Sequence, residues 1–292
     1  MAEIVGIHGI GQQYSGPYEL ASAWHDAVRD GLSAAGRQPA AEALSRSDLN
    51  VAFFADLFRP PGAMAAQDPH YSAKDVQPGL ERDLLAELYR VALEKDPSLA
   101  PPKGAMGPGI AVVQIMLRQL LRSRWFPAVA ERAFIGDLKQ VTLFLTNKAT
   151  KASVLERLHA KVADDTRVLI GHSLGSVVIY EYLYRFRPAS VELCLTLGSP
   201  LGIPRLVFDR LTPAPHDGKG EWPGTVPGWV NVADPDDIVA LRKDLAILFP
   251  GPPPDGSVDD RLVDNGDSPH AINRYLNARE TGSALGDVLN PP

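Results

Sequence analysis

The sequence predicts an α/β protein, with a mostly parallel central sheet of about six strands covered by helices on both faces. Three observations carry the prediction. Short apolar runs fall at residues 4–7, 49–54, 167–170, 191–197, 229–233 and 261–264. Most of them are near-continuous rather than alternating, as strands buried on both faces are. Stretches with helical spacing of apolar residues separate most of these runs, and a parallel crossover needs a dozen or more residues. The 292 residues, 45% hydrophobic and 22% charged, are expected to form one domain carrying a helical insertion at about 57–132.

In chain order, the strand at 4–7 ends in His8-Gly9-Ile10-Gly11. A helix follows over 17–35, with Leu20, Trp24, Ala27, Val28 and Leu32 on one face and Gly36 as its stop. The strand at 49–54 leaves Asp56 near its carboxyl end. Alternation then lapses across 57–132. There Pro60-Pro61-Gly62, Pro97, Pro101-Pro102, Gly104 and Gly107-Pro108-Gly109 set off two helical patterns, 80–93 and 110–126. In the second, Gln114, Arg118 and Arg122 form a polar stripe, and Val113, Met116, Leu117, Leu120, Leu121, Trp125 and Phe126 cover much of the rest. So wide an apolar face predicts a buried helix of an inserted cap. The alternative is a lid whose apolar face borders an acyl pocket or touches lipid.

Alternation resumes with helices at 134–146 and 152–162 and a strand at 167–170. A helix at 176–186 stops at Pro188, and the strand at 191–197 runs into Gly198-Ser199-Pro200. Residues 212–228 are rich in Pro and Gly and read as a surface loop. The strand at 229–233 leads into Asp234-Pro235-Asp236-Asp237, residues 250–254 form a stiff turn, and 261–264 is the last strand. In the final helix Ser268 suits the N-cap and Pro269 the first helical position.

Composition excludes several classes. A net charge of -6 argues against a general binder of nucleic acid or of anionic membranes. The single cysteine, Cys194, excludes an intramolecular disulfide and lies in an apolar run that suits a buried, inert thiol. The amino-terminal residues lack the basic segment of a signal peptide, and no apolar run reaches membrane-spanning length. A soluble, cytoplasmic protein is expected.

The stretch Val168-Leu169-Ile170-Gly171-His172-Ser173-Leu174-Gly175-Ser176-Val177-Val178 carries the chemistry. It places G-x-S-x-G between a strand and a helix, the context in which the motif exposes its serine at a strained turn. A serine hydroxyl needs a base, and imidazole is the natural one at neutral pH. Of seven histidines, His8 and His172 belong to backbone-defining turns, His25 and His159 to helices, and His70 and His216 to polar loops. His270 alone follows the last strand at the head of a helix, and it is the candidate base. Its other nitrogen needs a carboxylate. Asp237 is the assignment, because Ile238-Val239-Ala240 would anchor its backbone; Asp234 is its rival, and Asp264 inside the last strand is a third choice. Asp236 is expected to face water. The N–H groups of Leu174 and of Ile10 in the first turn are the candidate oxyanion hole.

These motifs resemble those of the α/β-hydrolase superfamily, in particular the lipase- and esterase-like branch with a His-Gly-Ile-Gly turn and a Gly-His-Ser-Leu-Gly elbow. The resemblance covers the core and leaves out the insertion. It implies Ser173 as nucleophile, His270 as base, and Ile10 and Leu174 as oxyanion donors. The segment Asn231-Val232-Ala233-Asp234-Pro235-Asp236-Asp237-Ile238-Val239-Ala240-Leu241-Arg242 is similar to the acid loop of intracellular DDHD-type phospholipases. It departs at Asp234 and Ile238, and supports Asp237 as the acid. Ser199, one strand away from the elbow, is expected to be structural.

The expected activity is a serine carboxylester hydrolase working through an acyl-enzyme on apolar acyl esters or lipids. Transient contact with a membrane surface is compatible with that activity. Thioesterase, amidase or acyltransferase chemistry would use the same triad, and a binding or scaffold protein on the same fold is the non-catalytic alternative. No metal or organic cofactor is expected: the acidic loop lacks calcium-loop spacing, and no His-Glu-x-x-His run occurs.

Overall fold

The computed structural model describes residues 2–59, 70–101, 109–126, 129–224, 226–251 and 256–289. In chain order the strands and α-helices are β1 (Ile4–Ile7), α1 (Pro17–Ala34), α2 (Gln38–Ala43), β2 (Leu49–Ala52), α3 (Leu80–Lys95), α4 (Ile110–Arg122), α5 (Glu131–Thr146), α6 (Lys148–His159), β3 (Val168–His172), α7 (Leu174–Phe186), β4 (Leu193–Leu197), β5 (Gly228–Ala233), β6 (Asp259–Leu262), α8 (Ile272–Leu276) and α9 (Arg279–Leu289). The Pro- and Gly-rich breaks expected at 60–62 and 102–108, and most of the stiff turn at 250–254, lie outside the described residues.

The six strands form one open sheet in the order β2-β1-β3-β4-β5-β6, with every pairing parallel. An α/β architecture with helices on both faces follows. On one face α1, α2, α8 and α9 close over Ile4, Val51, Ile170, Leu195 and Val232. Trp24, Val28 and Leu32 of α1 are fully buried there, each stabilising the fold by about 2 kcal/mol. On the other face α3 to α7 pack on Val5, Ile7, Leu169 and Cys194. Leu84, Leu85, Tyr89, Val113, Met116, Leu117 and Leu120 of the insertion belong to this same apolar cluster. The wide apolar side of α4 is therefore largely core, while Gln114, Arg118 and Arg122 are exposed.

Several boundaries differ from expectation for local reasons. α6 starts four residues early because the Asn147 side chain caps it, accepting from Thr150 N at 2.9 Å. α2, too short to show a period, was not anticipated; its Ala40 and Ala41 are buried beside α1. The last strand ends at Leu262, so Asp264 lies beyond it, exposed and accepting from Gly266 N in a turn.

The final helix does not begin at Ser268-Pro269 but at Ile272, with Ala271 at its N-cap. In a helix starting earlier, the carbonyls of Pro269 and His270 would be capped four residues on. Here Asn265 Nδ2 donates to Pro269 O at 3.0 Å and His172 Nε2 donates to His270 O at 3.0 Å. Tertiary donors have taken the acceptors a helical turn would need.

Candidate active site

β1 sits between β2 and β3, so the connections leaving β1 and β3 run to opposite sides and open a crevice beyond the carboxyl ends of these two strands. Ile7 pairs with Gly171, which sets the His8-Gly9-Ile10 turn beside Ser173. Ser173 lies between β3 and α7 with φ 53° and ψ -126°, a conformation that a residue with a Cβ adopts only under strain. The glycines around it are required by contact. A Cβ on Gly175 would stand 2.2 Å from Ile7 O, and one on Gly171 2.6 Å from Gly175 O. Ser173 N donates to Leu197 O at 3.0 Å, and Ser176 Oγ donates to Gly171 O at 2.9 Å, tying the turn to β4 and to its own entry strand.

His270 and Asp237, 33 residues apart, meet at this edge. His270 Nδ1 donates to Asp237 Oδ2 at 2.7 Å, which leaves Nε2 as the nitrogen able to accept a proton. Tyr275 OH donates to the same Oδ2 at 2.8 Å, while Asp237 Oδ1 accepts from Val239 N at 2.8 Å and Ala240 N at 3.3 Å. Burial alone would raise the Asp237 carboxyl. The charge and hydrogen bond of His270, the charge of Lys243 and the Tyr275 hydroxyl outweigh it and hold the group below the ordinary aspartate value. Asp234 is spent differently: Oδ1 accepts from Asp236 N at 2.6 Å and Oδ2 from Asn265 N at 2.5 Å. Of the three aspartates weighed for the acid, Asp237 alone touches His270.

Ser173, His270, Asp237, Ile10 and Leu174 all line one cavity of about 460 Å³. Among the described residues, no hydrogen bond joins Ser173 Oγ to His270, and none engages the N–H groups of Ile10 and Leu174. Such contacts commonly tighten only when substrate is bound. Two further histidines border the site, both held neutral. Burial takes His8 down to about 4; its Nδ1 donates to Gly9 O at 2.6 Å and its Nε2 accepts from Phe54 N at 3.1 Å, locking the turn to the segment after β2. Burial, reinforced by the His270 charge, takes His172 down to about 3, and its ring centre lies 4.7 Å from that of His270.

The remaining cavity wall is mostly apolar, with Gln12, Glu87, Asp137 and Asn273 as its polar members, and comes largely from the helices before β3: Leu84, Leu88, Trp125 and Phe126 from the predicted insertion, Phe134 and Leu138 from α5. The insertion also grips the acid loop. Lys95 Nζ donates to Pro235 O at 2.8 Å and to Asp236 Oδ1 at 3.2 Å, Arg124 Nη2 to Asp236 Oδ2 at 2.9 Å, and Trp125 Nε1 to Asp236 O at 2.7 Å. Asp236, expected to face water, is the residue that fastens this wall beside Asp237.

Tyr275, His172 and Asp236 escaped sequence reasoning. Tyr275 carries no sequence signal of its own, His172 is assigned only to a backbone-defining turn and Asp236 is expected to face water; only the tertiary fold brings them to the acid and the base. Ser199 is buried, and its Oγ accepts from Leu201 N at 3.3 Å, a turn-forming role. Asp56 pairs with Arg157, and Cys194 is fully buried with its thiol pushed far up by desolvation. Among the described residues no group of three or more His, Cys, Asp or Glu is placed to hold a metal, and no helix is long and apolar enough to cross a membrane. Comparison with protein-family models, with curated proteins and with solved structures finds no match in any of the three.

Proposed function

We propose that this chain is a serine carboxylester hydrolase of the α/β-hydrolase type. One observation carries the reading: a serine in a strained strand–helix turn opens into the same cavity as a histidine whose far nitrogen is held by a buried aspartate. In this mechanism Ser173 Oγ attacks the acyl carbonyl and its proton passes to His270 Nε2. Asp237 keeps the Nδ1 proton in place and offsets the imidazolium charge. The N–H groups of Ile10 and Leu174 receive the developing oxyanion, each lowering the barrier by about 3 kcal/mol. His270 returns the proton to the leaving alcohol, and water then releases the acyl group by the same route.

The apolar wall of Leu84, Leu88, Trp125 and Phe126 supports an acyl chain as the group that fills the cavity. In this reading the insertion is a cap over the site, fastened through Asp236. A fluorophosphonate probe is the direct test: the folded protein should be labelled at Ser173, and the Ser173→Ala variant should not. A p-nitrophenyl ester series with that variant as blank then reads turnover and chain length. Absence of label on folded wild-type protein would sink the hydrolase reading.

A further inference from the structure

The acid loop is gripped twice. Lys95, Arg124 and Trp125 of the insertion fasten Pro235 and Asp236, and a further lysine fastens the half that carries Asp237. Lys243, half-buried, donates from Nζ to Asp237 O at 2.5 Å and to Ala240 O. Asp237 and Ala240 are buried, and among the described residues no backbone N–H reaches either carbonyl. One ammonium therefore satisfies both acceptors. The backbone of Lys243 is itself rooted in the sheet. Its carbonyl accepts from Asn231 Nδ2 of β5 at 3.0 Å, and the same amide donates to Asp260 Oδ1 of β6 at 2.9 Å. Asp260 accepts in turn from Leu245 N at 3.0 Å and Ala246 N at 2.9 Å, and Asn231 Oδ1 accepts from Thr196 Oγ1 of β4 at 3.0 Å. Lys243 is a strut from three strands to the turn that bears the acid.

We propose that Lys243 is a positioning residue of the site: by tying Asp237 O to Ala240 O it fixes the turn from which the Asp237 carboxylate reaches His270. The inference rests on the hydrolase reading and adds a residue to its machinery. Asp237 Oδ1 closes one side of the turn on Val239 N and Ala240 N, and Lys243 closes the other on the two carbonyls. Without the ammonium those buried carbonyls lose their donor, and the turn must shift to find another. A displacement of about 1 Å at the acid can cost about 10² in rate. Lys243 is not among the residues lining the cavity, so it acts on the acid and not on substrate. The charged groups that face it are Asp237, Asp234 and Asp236, which favour its proton, and Lys95, which opposes it; burial is the largest influence and brings Lys243 down to about 8. At pH 7.5 the ammonium is the main form.

The experiment compares wild type, Lys243→Met and Lys243→Cys at pH 7.5 on p-nitrophenyl hexanoate. Methionine keeps the apolar stem and loses the ammonium; kcat should fall about tenfold or more with KM within about twofold. Alkylating Lys243→Cys with 2-bromoethylamine rebuilds an ammonium at the same distance from the backbone. Cys194 is the only native cysteine and is fully buried, which leaves one reactive thiol. Alkylation should recover most of the lost kcat within one preparation, a gain that a merely misfolded variant would not show. A methionine variant with kcat within twofold of wild type, or an alkylated variant no faster than before alkylation, overturns the proposal. Failure of the hydrolase reading looks different, since wild type then cleaves no ester and Ser173 is not labelled. In that event the pair is read by NMR of [15N]histidine-labelled protein. Wild type should hold His270 with its proton on Nδ1, and Lys243→Met should shift it toward the Nε2–H tautomer; an unchanged tautomer overturns the proposal.

Discussion

Tyr275 donates its hydroxyl to Asp237 Oδ2 at 2.8 Å, the same oxygen that accepts from His270 Nδ1. The Tyr275 oxygen in turn accepts from Asp234 N at 3.0 Å. One phenol thus fixes both the acid and the loop entering it. Tyr275→Phe leaves the Asp234 N–H and one Asp237 lone pair without a partner in a dry interior, which should destabilise the protein by about 1–3 kcal/mol. The His270 ring loses part of its orientation, so kcat should fall about tenfold with little change in KM. Urea unfolding and steady-state kinetics on one preparation check both.

The two aspartates of this loop should separate cleanly. Asp237→Asn removes the partner of His270 Nδ1 and favours the wrong tautomer, for which a loss of about 10⁴ in kcat is expected. Asp234→Asn turns an amide toward Asp236 N or Asn265 N and should cost about 1–3 kcal/mol of stability while leaving kcat within tenfold. Kinetics and thermal unfolding of the pair decide the assignment. Full turnover by Asp237→Asn would remove it from the mechanism.

Acid should destabilise the fold through His8 before it protonates Asp237. Burial on folding lowers the His8 pKa from 6.5 to about 4, and in the folded state the neutral ring accepts from Phe54 N through Nε2. As the pH falls the unfolded chain takes up this proton first. The contribution is therefore whole above about pH 6.5 and lost progressively toward pH 4, up to about 3 kcal/mol. His172 acts in the same direction, with its pKa at about 3. Asp237, held below its ordinary value, loses its contribution only as the pH drops below 3.8 and through its own lowered pKa. Urea midpoints from pH 7.5 to 4 should show the fall, and His8→Gln should flatten it.

Trp125 joins the cavity wall to the acid loop, so its removal should act on binding more than on chemistry. Trp125→Ala deletes apolar surface from the cavity and the bond to Asp236 O. KM for an octanoyl ester should rise about tenfold, while an acetyl ester, too short to reach the wall, changes less than threefold. The Lys95 and Arg124 pairs to Asp236 are half-exposed, and Asp236→Asn should shift stability by no more than about 1 kcal/mol.

How much of this was legible in the sequence follows from where each signal is written. Runs such as Val168-Leu169-Ile170 and Leu193–Leu197 declare buried strands, and the glycines around Ser173 declare the turn, because both are local demands on backbone and burial. Their order along the chain was enough to bring Ser173, Asp237 and His270 to one edge of the sheet. The near-continuous runs and long crossovers point to parallel pairing, but the place of β1 between β2 and β3 is a tertiary fact that no local signal writes. The same holds for the start of the last helix, which depends on side chains from Asn265 and His172, and for Asp236, whose partners lie on α3 and just beyond α4.

Ser173 itself offers the sharpest test of whether the strain serves function. Its φ of 53° and ψ of -126° cost about 1–3 kcal/mol for a residue with a Cβ, and glycine escapes most of that penalty. Ser173→Gly should therefore raise stability by about 1 kcal/mol, less than the full strain because glycine also gains entropy in the unfolded chain. It should abolish fluorophosphonate labelling at the same time. Ser173→Ala keeps the Cβ and loses only the hydroxyl, so it should abolish labelling without the gain. A stabilised but inert glycine variant beside an inert, unstabilised alanine variant is the signature of a residue kept in a costly conformation for its oxygen. If glycine destabilises instead, the turn is held by packing around the Ser173 side chain, and its conformation carries no functional message.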